Sequence, residues 1–124
     1  MIMAAPTYYL LHVADPARSS GFYTELFDRP PVETSPTFVL FVLDGGIKVG
    51  LWSRETVEPA TGGAPGALEI GIALGTPADV NAFHASWLER GLPVLQPPTD
   101  MDFGRSCMVT DPDGHRIRVF AISM

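Results

Sequence analysis

Trp52 and Gly50 stand two apart in the run Ile47-Lys48-Val49-Gly50-Leu51-Trp52-Ser53. The period-two alternation of a strand puts them on one face with Lys48, and Ile47, Val49 and Leu51 on the other. An indole beside a residue with no side chain makes a flat wall with room in front of it, suited to stacking a planar ring. The alternative is that Trp52 packs under the following loop or in a dimer seam. Phe120 repeats this placement near the C-terminus, as a second wall or as core, and Phe103 sits before Gly104 as a lid or as a contact to a partner subunit. Ser106 and Met108 alternate on one face of a strand and would add a hydroxyl and an adaptable thioether. Phe38 and Phe41 fall on opposite faces of theirs, so at most one joins such a site. Covalent chemistry is poorly served, because Cys107 has no base near it in sequence. His12, His84 and His115 fall on a strand, a helix and a turn, and read as structural residues.

These residues need a scaffold of short elements. Tyr8–Val13 reads as a strand, and Asp15-Pro16 as the N-cap and first residue of a helix to Phe27, stopped by Arg29-Pro30-Pro31. An extended piece at Val32–Thr34 precedes strands at Thr37–Leu43 and Ile47–Ser53, joined by Asp44-Gly45-Gly46. Residues 54–66, with three Gly and two Pro, form a linker. The order then repeats: a strand at Leu68–Leu74, a helix opened by Thr76-Pro77 and ended by Gly91, and an extended piece at Pro93–Leu95. After a break at Pro97-Pro98 comes a hairpin of Arg105–Thr110 and Arg116–Ile122 around Asp111-Pro112-Asp113-Gly114. Phe22, Phe27, Phe83 and Trp87 lie at helical core spacing and read as packing.

The halves overlay at a shift of 61 to 62 residues: Asp15-Pro16 on Thr76-Pro77, Phe22 on Phe83, Leu26-Phe27 on Trp87-Leu88, Pro31-Val32 on Pro93-Val94. The fold class is therefore α+β, two βαβββ modules, one at about 6–53 and one at about 67–124, in a single domain over 1–124. One such module cannot bury both its helix and its sheet face alone, whereas two can share a core. Bulk properties agree: 124 residues suit one domain, and 46% hydrophobic with 18% charged residues suits a folded chain. A net charge of −6 without a basic cluster argues against nucleic acid as a partner. No apolar run is long enough for a membrane span, and the lone cysteine fits a reducing cytoplasm.

Asp15-x-x-x-Ser19-x-x-Phe22-Tyr23 and Asp111-Pro112-Asp113-Gly114-His115 resemble motifs of the vicinal-oxygen-chelate (glyoxalase/bleomycin resistance/dioxygenase) superfamily, over nearly the whole chain. Within it, Leu51-Trp52-Ser53, Glu69-Ile70-Gly71-Ile72, Asp102-Phe103-Gly104-Arg105 and Asp111–Val119 are similar to the phenazine-antibiotic resistance branch, which binds D-alanylgriseoluteic acid. The resemblance implies paired βαβββ modules, a homodimer with exchanged elements, and a ligand held against the concave face of the sheet. Enzymes of the superfamily hold a divalent metal there, and the four corresponding positions here are Tyr8, Gly50, Glu69 and Arg118. One carboxylate with a guanidinium aimed into the same space is a poor metal set.

The reading is a non-catalytic protein that sequesters a planar aromatic molecule, such as a phenazine-like antibiotic, with no metal or other cofactor. Its ligand-binding candidates are Tyr8, Gly50, Trp52, Glu69, Phe103, Ser106, Met108, Arg118 and Phe120. Glu69 and Arg118 either pair with each other or exchange partners with a ligand's amine and carboxylate. The alternative is a metal-dependent lyase, isomerase or dioxygenase of the same superfamily.

Overall fold

The computed structural model describes residues 5–123; residues 1–4 and 124 of the expected 1–124 domain lie outside the described residues. The chain divides into two compact units, Met1–Gly63 and Ala64–Met124. Each repeats the βαβββ order.

Unit 1 contains strand β1 (Tyr8–Val13), helix α1 (Pro16–Phe27) and strands β2 (Glu33–Thr34), β3 (Phe38–Val42) and β4 (Lys48–Ser53). Asp15 opens α1 by accepting from the backbone N–H groups of Ala17 (3.1 Å) and Arg18 (3.4 Å), satisfying donors that a helix start leaves orphaned. Asp28 closes it in a left-handed conformation at φ 53°. The sheet runs β1-β4-β3-β2, with β1 parallel to β4 and the others antiparallel. Helix α1 packs on β3 and β4, and that side holds Leu11, Val13, Phe22, Tyr23, Val39, Phe41, Val49 and Leu51, each under 10% exposed. Phe41 is thus the core member of the Phe38/Phe41 pair, its ring edge-on to Phe27 at 5.5 Å.

The linker is not uniformly loose. Residues Arg54–Thr56 form one 3₁₀ turn, Val57 is 6% exposed, and Thr61 Oγ1 lies 2.6 Å from His12 Nδ1. Residues 54–63 therefore belong to unit 1, and the division falls within the expected 54–66 linker.

Unit 2 contains β5 (Glu69–Ala73), α2 (Pro77–Glu89), β6 (Val94–Met101), β7 (Gly104–Thr110) and β8 (Arg116–Ile122), in sheet order β5-β8-β7-β6. Thr76 and Asp79 form a reciprocal capping box at 3.2 and 3.1 Å. Trp87, fully buried under α2, donates its indole N–H to the Pro93 carbonyl at 2.9 Å. The closing turn has the expected chemistry: the Asp111 carboxylate accepts from the N–H groups of Asp113 (2.9 Å) and His115 (2.8 Å), and Gly114 takes φ 99°.

Pro97-Pro98 does not break the chain out of the sheet. Strand β6 runs through both prolines to Met101, with register shifts between Val94 and Gln96 and between Gln96 and Thr99. An edge strand can carry residues without an N–H at irregularities of this kind, because only one of its sides is in the ladder. Each helix packs on strands of its own unit, so one sheet face is covered within the module. The site candidates lie mostly on the opposite face.

Candidate functional site

On the helix-free face of unit 1, parallel pairing sets Leu10 beside Gly50 and His12 beside Trp52, while β3 sets Phe38 beside Trp52. The His12 and Trp52 rings meet edge-on at 6.1 Å. The Trp52 side chain is half-buried. The expectation of open space above Gly50 is not met. A Cβ built there would lie 2.7 Å from both Leu10 Cδ2 and Phe38 Cζ, so these two side chains already occupy the place the missing Cβ leaves. Tyr8 is 54% exposed, with the Lys48 ammonium 5.1 Å from its ring centroid.

On the corresponding face of unit 2, Glu69 and Gly71 of β5, Arg118, Phe120 and Ile122 of β8, and Met101 and Phe103 at the β6–β7 hairpin line a cavity of about 570 Å³. That volume lies within the range of small-molecule sites, roughly 300–1,000 Å³. Phe120 and Phe103 form two walls near a right angle (85°), with centroids 6.0 Å apart. Gly71 leaves the floor between them low, since a Cβ there would meet only Phe120 Cε1, at 3.4 Å. Sequence reasoning named Phe103, Phe120, Glu69 and Arg118 but missed Gly71, Met101 and Ile122. Gly71 was within reach, being two residues from Glu69 on the same strand. Met101 depended on β6 continuing past its prolines.

Arg118 is the polar centre of this cavity. Its Nε and Nη2 donate to the two Glu69 oxygens at 2.9 and 2.8 Å, a side-on bidentate pair. Its Nη1 donates to Ser106 Oγ at 3.0 Å and contacts Met101 Sδ at 3.7 Å. The guanidinium carbon lies 6.0 Å from the Phe103 centroid. The hydrogen bond from Arg118 is the main reason the Glu69 carboxyl is held below its ordinary range; burial opposes this, and the charges of Arg118 and then Arg116 add to it. Ser106 is fully buried and Met108 is 2% exposed, so neither presents itself to a ligand as expected. The register sets Ser106 opposite Phe120 and Met108 opposite Arg118, and Ser106 acts on the site by holding Arg118.

Of the four positions where the resemblance puts metal ligands, Gly50 has no side chain and Arg118 no acceptor, while the Arg118 fork spans both oxygens of Glu69. This donor set does not fit a divalent cation. Among the described residues, no three His, Cys, Asp or Glu side chains gather as ligands. Cys107 is buried, and desolvation pushes its thiol pKa up, away from the thiolate a nucleophile needs. The arrangement sets two aromatic rings beside one carboxylate–guanidinium pair, a shape and charge that suit a flat molecule.

Known proteins resemble this chain over most of its length. Residues 6–119 match the glyoxalase/bleomycin resistance protein/dioxygenase superfamily. The chain is 35% identical over 118 residues to the phenazine antibiotic resistance protein EhpR of Enterobacter agglomerans, covering 92% of this chain and 89% of that one. An Agrobacterium tumefaciens protein solved by NMR in solution is 43% identical, with a TM-score of 0.87 over 98% of this chain and all of the other. A glyoxalase-related enzyme from Fulvimarina pelagi, at 21% identity, shares the fold with a TM-score of 0.83 over 96% of this chain and 88% of its own. Two βαβββ units, the Asp111–His115 turn and these matches carry one conclusion: the chain belongs to the glyoxalase/bleomycin resistance protein/dioxygenase superfamily.

Proposed function

We propose that this protein binds and sequesters a planar aromatic small molecule of the phenazine kind without performing chemistry on it, protecting the cell by lowering the free concentration of the compound. The observation that carries the reading is the cavity of about 570 Å³ walled by Phe103 and Phe120, with Arg118 and Glu69 paired at its polar end. Edge-on aromatic walls suit a flat ring, and a few placed polar groups orient it. The similarity to a phenazine antibiotic resistance protein supports the same class of ligand. Trp52 is a further stacking surface in this reading, on the sheet of unit 1, with Tyr8 and Lys48 at the far end of that face. The reading includes a homodimer acting in the cytoplasm; sedimentation of the purified protein tests the first part. Among the described residues no helix is long and apolar enough to cross a membrane.

Titration of phenazine-1-carboxylate, followed by calorimetry and by indole fluorescence, tests the proposal. Saturable binding near one ligand per chain, weakened by Phe103→Ala or Phe120→Ala, is expected. No heat and no quenching would sink it. Metal analysis of protein purified without chelator is the second arm. A near-stoichiometric transition metal would overturn the non-catalytic reading in favour of a metal-dependent lyase, isomerase or dioxygenase.

A further inference from the structure

The two partners of the Glu69–Arg118 pair are held very differently. Arg118 is fixed from its Nη1 side by the fully buried Ser106 and by Met101, and the Phe103 ring centroid stands 6.0 Å from its guanidinium carbon. None of these contacts involves Glu69. The Glu69 carboxylate, in contrast, has Arg118 as its hydrogen-bond partner on both oxygens and no other among the described residues. It sits on the first residue of β5, an edge strand of its sheet, with its side chain 37% exposed against 20% for Arg118. If Glu69 rotates into solvent, the guanidinium stays where it is. Its Nε–Nη2 edge, which now holds Glu69, is then an oriented fork at the wall of the cavity that both residues line, and such a fork is the geometry that recognises a planar carboxylate.

We infer that Glu69 is an internal stand-in for the ligand's own acidic group, and that the cavity selects aromatic carboxylates, which displace Glu69 from the Nε–Nη2 edge of Arg118. The inference rests on the sequestration reading and names the class of molecule it applies to. Displacement is cheap because a partly exposed pair of this kind contributes little on its own. The incoming carboxylate makes the same two hydrogen bonds while its ring system lies against Phe103 and Phe120. Arg116, the register partner of Glu69 on β8, brings a second positive charge near the carboxylate's place. A neutral ligand would leave the pair closed and forgo these bonds. An amine-bearing ligand would have to take Glu69 from an arginine that is already fixed opposite it.

The experiment compares phenazine-1-carboxylate with unsubstituted phenazine on the full chain, reading the ratio of their affinities. In wild type the acid is expected to bind more tightly by roughly tenfold, the worth of a charge-assisted bidentate contact in a partly wet site. Glu69→Gln removes the competing charge and should raise the ratio by about two- to fivefold. Arg118→Gln should bring it to about one, and Arg118→Lys, which keeps the charge without the fork, should fall between. Thermal melting of each variant reports that it is folded. Equal binding of both probes by wild type, or a ratio unmoved by Glu69→Gln, would overturn the inference while leaving sequestration standing. Preference for an aminophenazine would overturn it in the opposite sense. Failure of every probe would remove the sequestration reading, and this inference with it.

Discussion

Gly71→Val separates the location of the site from the integrity of the fold. Gly71 lies on the floor of the unit 2 cavity, on an edge strand, and its backbone is not in the left-handed region. A Cβ there meets only Phe120 Cε1 at 3.4 Å, a contact that a small movement of a half-buried ring relieves. Valine suits a strand, whereas glycine weakens one through its conformational freedom, so the melting temperature should hold or rise slightly. The ligand meets the opposite effect, because three carbons now stand where its ring would lie. One misplaced methylene in an apolar pocket costs about 1–3 kcal/mol, so affinity for phenazine-1-carboxylate should fall by at least ~10-fold and as much as ~200-fold. Calorimetric titration of wild type and variant, with a melting curve for each, reads both quantities. Binding retained within about twofold by a variant that melts normally would refute the placement of the ligand on Gly71 and Phe120.

Three other outcomes follow from the same geometry. Gly104 sits at φ 142° with a built Cβ driven into the Ala121 carbonyl, so Gly104→Ala should destabilise by about 2 kcal/mol or more, read by urea unfolding. Asp15→Ala removes the side chain that accepts two α1 N–H groups and should cost about 1 kcal/mol in the same assay. Arg118 depresses the Glu69 pKa below its ordinary 4.5, so the pair's stabilisation is present above that value and lost as pH falls through the lower folded-state value. With the carboxylate more than a third exposed, the amount is at most about 1 kcal/mol, and wild type should lose that much more stability than Glu69→Gln between neutral pH and pH 3.

Much of the fold was legible because its signals are local. The Asp15-Pro16 and Thr76-Pro77 caps set both helix starts, and the bounds expected for β1, α1 and β8 are those observed. The strands β3, β4 and β5 came out one residue shorter at one or both ends than their apolar runs, since residues such as Thr37 and Leu74 make single hydrogen bonds at a ladder's margin. Strand β6 was cut short because a Pro-Pro pair reads as a break, and only its place at the sheet edge lets it continue. The site was legible in part. Period-two alternation put Arg118 and Phe120 on one face of their strand and the family resemblance brought Glu69 to the same site, but pairing across 49 residues was one of two open alternatives.

Residue types and their spacing by themselves determined that this chain is a twice-repeated βαβββ protein, and the family resemblance added that a glycine and an arginine stand at two of the positions where its enzymes hold a metal. Only the tertiary structure decided which candidates have space around them. It put Leu10 and Phe38 over Gly50, buried Ser106 and Met108, and left Gly71 open beneath Phe120. The physical reason is register: alternation tells which face a side chain takes, while the neighbour it meets there depends on which strand pairs alongside and at what offset.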